Sequence, residues 1–142
     1  MVIENIPKDL AYEWAGSLVF TPALGLLLGG DRWRCVDKVF VAKMGDEIVG
    51  ISTVASKGEL MDNRPTIVAI YVVHDYRRQG VGYRLLETTV DSMFSEGLTP
   101  IRLDVLSTKA RQMINHLPVN KKQRLNIIDQ SGEQALDMIL DK

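Results

Sequence analysis

A chain of 142 residues with 46% hydrophobic and 25% charged residues has the length of one domain and the balance of a globular one, which argues against a two-domain layout and general disorder. Its 17 Lys and Arg face 18 Asp and Glu, a net charge of −1, whereas a duplex-DNA or RNA binder needs a basic surplus to neutralise phosphates. With Cys35 alone, no internal disulfide and no four-thiolate zinc site can form, and the residue reads as a small hydrophobe.

The start, Met1-Val2-Ile3-Glu4-Asn5, lacks the positive-then-apolar layout of a signal peptide. The longest apolar stretch, residues 18–30, is broken by Pro22 and falls short of the roughly twenty residues of a membrane span. The expectation is a reduced, cytoplasmic protein with no membrane and no nucleic-acid partner. No repeat or linker divides it, so residues 1–142 read as one domain.

In chain order, residues 2–6 predict a short strand ended by Pro7. Residues 8–20 predict a helix, with Leu10, Trp14 and Leu18, and Ala11 beside them, at helical spacing. Thr21-Pro22 supplies an N-cap and an N1 proline for a second helix to Leu28, stopped by Gly29-Gly30. Residues 38–44 and 47–54 are β-rich runs joined at Gly45-Asp46, an antiparallel hairpin. A loop covers 57–65. Residues 66–73 are nearly all apolar, the pattern of a central strand covered on both faces. A helix over 81–96 puts Val81, Leu85, Leu86, Thr89, Val90 and Met93 on one side and stops at Gly97. A half-buried strand at 101–106, a helix at 108–117 ended by Pro118 and a strand at 124–128 follow. Ser131-Gly132-Glu133-Gln134 has capping-box spacing, so a closing helix is predicted at 132–141. Alternating strands and helices of this kind make an α/β sandwich around a central sheet.

The stretch that carries chemistry joins the central strand to the next helix: Ile70-Tyr71-Val72-Val73-His74-Asp75-Tyr76-Arg77-Arg78-Gln79-Gly80-Val81-Gly82-Tyr83. A helix N-terminus offers backbone N–H groups without intrahelical partners and the positive end of the macrodipole. Gly80 and Gly82 let an anion approach those groups without meeting a Cβ, and Arg77 and Arg78 add charge. A phosphate or pyrophosphate fits such a place. A Walker A loop would need Gly-Lys-Ser/Thr where this chain has Gly82-Tyr83-Arg84, and a dinucleotide fingerprint would need a third glycine where it has Leu85. A plain glycine turn with surface arginines is the bland alternative.

Arg77-x-x-Gly80-x-Gly82, directly after an apolar strand and before Leu85-Leu86, resembles the acetyl-CoA pyrophosphate loop of the GNAT N-acetyltransferases, and the order of elements over residues 1–117 agrees with that fold. The resemblance implies a mixed α/β (α+β) central sheet flanked by helices, acetyl-CoA as co-substrate, no metal, and an amine acceptor on a small molecule or peptide. It implies that the amides of Arg78, Gln79, Gly80, Val81, Gly82 and Tyr83 bind the pyrophosphate beside Arg77. It further implies that Ile70, Tyr71 and Val72 pair with the pantetheine arm, and that the Val72 amide faces the thioester carbonyl. One such donor, where lost from other enzymes, costs roughly 3–4 kcal/mol of transition-state stabilisation.

Many relatives protonate the leaving thiolate with a tyrosine on the helix after the fifth strand. Counting from Leu103-Asp104-Val105, that position holds His116, an imidazole able to donate a proton near neutral pH or, alternatively, a helix-end residue facing the last carbonyls. The frequent asparagine early in this helix is replaced by Lys109. The acceptor amine needs a base or water relay to become neutral, and the central strand offers no carboxylate. Glu59, Asp62, His74 and Asp75 are candidates by position only. Asp31, Asp37, Glu59 and Asp62 suit a cationic acceptor equally as ordinary surface charges. The Gly-Phe step and closing strand pair common in relatives are missing after Leu117-Pro118. This atypical C-terminus leaves an edge that is open, covered by the last helix, or completed by a second subunit in a homodimer. Two functions follow: an acetyl-CoA-dependent N-acetyltransferase, or a CoA-binding sensor or interaction domain with weak or no turnover. A generic phosphate-ligand protein is a distant third.

Overall fold

The hairpin around Gly45, whose φ of 62° favours glycine, anchors a six-stranded sheet in which neighbours in space follow chain order. The structure, a computed structural model, describes residues 1–18, 30–57, 64–105 and 108–129. Its strands are β1 (Val2–Asn5), β2 (Lys38–Met44), β3 (Glu47–Ala55), β4 (Thr66–Val72), β5 (Ile101–Val105) and β6 (Leu125–Asp129). Its helices are α1 (Lys8–Leu18), α2 (Val81–Ser95), α3 (Thr108–Asn115) and the short α4 (Val119–Lys122), with 3₁₀ turns at Gly30–Cys35 and His74–Tyr76. The second helix expected at 21–28, the closing helix at 132–141 and most of the 57–65 loop lie outside the described residues. Among the described residues, no helix is long and apolar enough to cross a membrane.

From β1 to β4 the strands pair antiparallel, with β2 and β3 joined as a hairpin. β4 and β5 are joined through α2, and a helical crossover returns the chain parallel. β6 also pairs parallel, Ile101 with Leu125 through Val105 with Asp129, after a crossover through α3 and α4. In place of the closing pair of strands that the resemblance leads one to expect, the described residues after Leu117 hold one strand, β6, parallel to β5.

Both faces of the sheet are covered. On one, α2 buries Val81, Leu85, Leu86, Val90 and Met93 against Phe40, Ala42, Val49 and Ile67. On the other, α1 and the Gly30–Cys35 turn cover Val39, Val41 and Ile51. Burial corrects the expected stripe of α1. Ala11 and Ala15 are fully buried and Trp14 packs at their side, whereas Leu10 stays 51% exposed. The small alanines let the helix approach the sheet, and a leucine one position away points outward by the 100° step of the helix. The Gly30–Cys35 turn and α4 are additions that periodicity did not predict, since neither is long enough to show a repeat. Gly97, with φ 77°, ends α2 as expected.

Candidate active site

The site begins with a fault in the sheet. Thr53 pairs with Ala69 and Val54 with Ile67, so Val68 bulges out of β4 without a partner on β3. A bulge bends its strand and increases the local twist. On the other side, β4 pairs with β5 only at Thr66–Arg102 and Ile67–Leu103. Beyond the bulge the two parallel strands separate. The Val73 N–H donates to the Val49 carbonyl across to β3 at 2.9 Å. Backbone groups alternate in direction along a strand, so those of Val72 and Ile70 face the gap. The Val72 carbonyl accepts from Arg77 Nε at 2.9 Å, and the Arg77 guanidinium lies 5.3 Å from the centre of the Tyr71 ring.

The turn that follows is shaped by two left-handed residues, Arg78 (φ 65°) and Gly80 (φ 80°). Such backbone costs an arginine about 1–3 kcal/mol and is concentrated at functional sites. α2 starts at Val81, and the Arg84 amide is the first to return into the helix, donating to the Gly80 carbonyl at 3.1 Å. The amides of residues 78–83 have no protein acceptor among the described residues. They form a concentration of unpaired donors at the positive end of a fifteen-residue helix.

Gap and turn share one cavity of about 320 Å³. Ile70, Tyr71 and Val72 line it from β4. Tyr76, Arg77, Arg78, Gly80, Val81, Gly82 and Tyr83 line it from the turn and α2, and Lys109, Ala110 and Met113 from α3. A Cβ at Gly82 would lie 3.1 Å from Met113 Sδ and 3.5 Å from Val72 Cγ2, so a side chain there would press on the methionine. Of the residues expected at the site, Gln79 and His116 do not line the cavity. Gln79 donates through Nε2 to the Asp75 carbonyl at 3.3 Å. The sequence reading missed Met113 and Ala110. The spacing of Lys109 and Met113, four apart on one helix face, is the signal that could have found them.

His116 stands one residue past α3, exposed, with Nδ1 2.7 Å from the Gln112 carbonyl. Its own amide donates to the Met113 carbonyl at 3.2 Å. The reason it misses the cavity is that α3 ends at Asn115, so the residue caps a helix rather than continuing its inward face. Its carbonyl lies 3.4 Å from the Tyr83 hydroxyl, which donates to Glu87 Oε2 at 3.3 Å. Burial against the site and then the Glu87 charge push the Tyr83 phenol above its usual range. A hydrogen bond to Glu47 and that carboxylate's charge do the same for Tyr76, whose hydroxyl donates at 3.0 Å. His74 and Asp75 are exposed and do not line the cavity. Glu59 and Asp62 lie outside the described residues. Asp37 accepts from the Ser56 amide at 3.0 Å.

On the α1 side of β5, Asp104 is held by Arg102 Nε at 2.9 Å and by Arg32 Nη1 at 3.2 Å. This ties the Gly30–Cys35 turn to the strand beside the gap. No group of three or more His, Cys, Asp or Glu among the described residues could hold a metal ion.

A sequence model of the acetyltransferase (GNAT) family matches residues 12–115. Comparison with curated proteins finds no match. Among solved structures, an IAA acetyltransferase from Bacillus cereus superposes with a TM-score of 0.58 at 21% identity, over 80% of this chain and 73% of that one. A ribosomal-protein-alanine N-acetyltransferase from Brucella melitensis gives 0.58 at 17% identity over 81% and 89%. An aminoglycoside N-acetyltransferase in complex with CoA gives 0.56 at 16% identity over 82% and 90%. At these identities the likeness is one of fold.

Proposed function

We propose, from the premise that the chain belongs to the GNAT family of acetyltransferases, that it transfers an acetyl group from acetyl-CoA directly to an amine of a small molecule or peptide. The observation that carries the reading is the coincidence, on one cavity, of the unpaired turn amides and a strand edge without a partner on β5. The amides of residues 78–83 suit a pyrophosphate, and the gap-facing edge of β4 suits an amide-bearing arm.

In this reading the pyrophosphate takes the turn amides, with Arg77 and Arg78 adding charge. Ile70 exchanges hydrogen bonds with the pantetheine arm as a missing strand would, while the Val72 carbonyl stays with Arg77. The Val72 N–H points at the thioester oxygen and stabilises the negative charge that develops there as the amine nitrogen attacks. The C–N bond forms, the C–S bond breaks, the amine gives up a proton and the leaving thiolate takes one. Arg77 is a positioning residue: by bonding the Val72 carbonyl and stacking on Tyr71 it fixes the end of the strand. For His116 the Nδ1 contact to Gln112 favours the helix-end role over that of proton donor.

A second reading is favoured by one observation: no carboxylate or imidazole is among the described residues lining the cavity. A CoA-binding domain without turnover has the same fold and the same anion site. Incubation with acetyl-CoA and a panel of amines, followed by thiol release, separates the two. Release that requires both protein and amine is the expected result. A CoA-dependent rise in melting temperature without release assigns the binding role, and neither signal removes both readings.

A further inference from the structure

We infer that the acceptor amine also carries a carboxylate, which the Arg32 guanidinium receives on the α1 face of the sheet. The inference rests on the acetyl-transfer reading above. In that reading the arm of the co-substrate lies along β4 in the gap. Ala110 and Met113 of α3 line the same cavity and pack on the α2 side of the sheet. With arm and helix on that side, the amine reaches the thioester carbon from the opposite one, through the gap. Tyr71 edges the gap there, since it lines the cavity and also packs on the cluster beneath α1. On β5, Asp104 is the first residue beyond the last pair with β4, Ile67 with Leu103. Leu103 packs on the α2 side, so the alternation of a strand turns Arg102 and Asp104 to the α1 side.

Charge on that side selects the class of acceptor. A lone carboxylate beside the gap attracts an ammonium, but Asp104 is already engaged. Arg102 donates to it through Nε at 2.9 Å and Nη2 at 3.5 Å, and Arg32 through Nη1 at 3.2 Å. Two guanidiniums on one carboxylate leave the cluster with a single surplus positive charge, which matches one carboxylate. The two arginines differ in access. Arg102 and Asp104 are nearly enclosed, whereas the Arg32 side chain stays 33% exposed. A guanidinium presents several N–H donors in a planar fork suited to a carboxylate. Arg32 spends Nη1 on Asp104, and its other nitrogens have no acceptor among the described residues. Asp104 is thus a positioning residue that fixes the Arg32 fork beside the gap, and the unused donors are open to a ligand.

The test compares amines in matched pairs that differ only in a terminal carboxylate or carboxamide: β-alanine with β-alaninamide, and glycylglycine with glycylglycinamide. Binding to the full chain, free and saturated with CoA, is measured by titration calorimetry. Thiol release from acetyl-CoA is followed with the same amines. Each carboxylate should bind about tenfold tighter than its carboxamide, with kcat/KM higher by a similar factor through KM. In Arg32→Met that ratio should collapse to within about twofold, and in Arg32→Lys, which keeps the charge and loses the fork, it should lie between. Because the ratio is taken within one protein, a partial loss of folded chain does not move it. Equal or absent binding of the pair members in the unaltered chain overturns the carboxylate subsite, as does a ratio that survives Arg32→Met. Thiol release without carboxylate preference overturns the subsite and leaves acetyl transfer standing. Carboxylate-selective, Arg32-dependent binding without thiol release upholds the subsite and removes the transfer reading.

Discussion

Gly50 shows how one missing side chain sets the geometry of the site. A Cβ at this position would lie 2.8 Å from Leu85 Cδ1 and 3.2 Å from both Val81 Cγ1 and the Tyr71 carbonyl oxygen. The glycine therefore lets the first turn of α2 rest directly on β3, opposite Val72. Gly50→Val should cost about 1–3 kcal/mol through overpacking and lift the start of α2 off the sheet. A fall in melting temperature of roughly 3–10 °C checks the first effect, and a weakened CoA affinity checks the second. Gly80 acts differently. No atom crowds it, but its φ of 80° excludes a branched residue. Gly80→Val should weaken CoA at least about tenfold by forcing the turn amides out of register, the equivalent of ~1.4 kcal/mol of strain, while Gln79→Ala, outside the lining, should change it little. At His116 the ring faces a helix-end carbonyl. His116→Phe should leave kcat at saturating acetyl-CoA within about twofold, because the ring stands outside the cavity. A tenfold drop in kcat would instead make it the proton donor.

At the scale of elements, two devices open the site and hold it. The bulge at Val68 turns β4 away from β5, and the edge beyond it has no partner on β5; in the proposed function this edge takes the arm of the co-substrate. The other device is an ionic tie between α2 and the crossover to β6. Lys121 of α4 lies 3.0 Å from Asp91 and 3.5 Å from Glu87, and Glu87 in turn accepts from Tyr83 at the cavity. A hydrogen bond to Asp91 raises the Lys121 pKa above its usual value, against a smaller opposing effect of burial. The folded state thus holds this proton more tightly than the unfolded one. The stabilisation is complete below the ordinary lysine pKa, near 10.4, and fades as pH rises through the raised folded value. The raised Tyr83 and Tyr76 phenols act in the same direction, since the folded chain resists losing their protons. Denaturant midpoints should fall as pH climbs above about 10. In Lys121→Met the fall should be shallower and the midpoint lower at pH 8. A parallel decline in both proteins would remove the tie from the account.

For the whole molecule, a ligand that binds only the folded state stabilises it by mass action. CoA at about a hundred times its Kd should add roughly 2.7 kcal/mol and raise the melting temperature by about 5–10 °C. How much of this was legible in the sequence differs from element to element, for physical reasons. The hairpin, the apolar β4, the helix ending at Gly97 and the glycine turn at 77–82 were readable because each is written in consecutive residues: turn chemistry, periodicity, and glycines where the backbone is left-handed. The face of α1 was misread because two alanines and a leucine compete for the same arc, and only contact with the sheet decides which is inside. Met113 and Ala110 enter the cavity from a helix remote in sequence, so their spacing with Lys109 on one face of α3 was the sole local sign of them. His116 stands outside the cavity, because α3 stops one residue before it. The sheet's alternation, the glycine turn and the family are legible in the residues alone, because each is a property of local order along the chain. Where β4 parts from β5 and which side chains close the cavity emerge only in the tertiary structure, because both depend on distances between segments that no local pattern encodes.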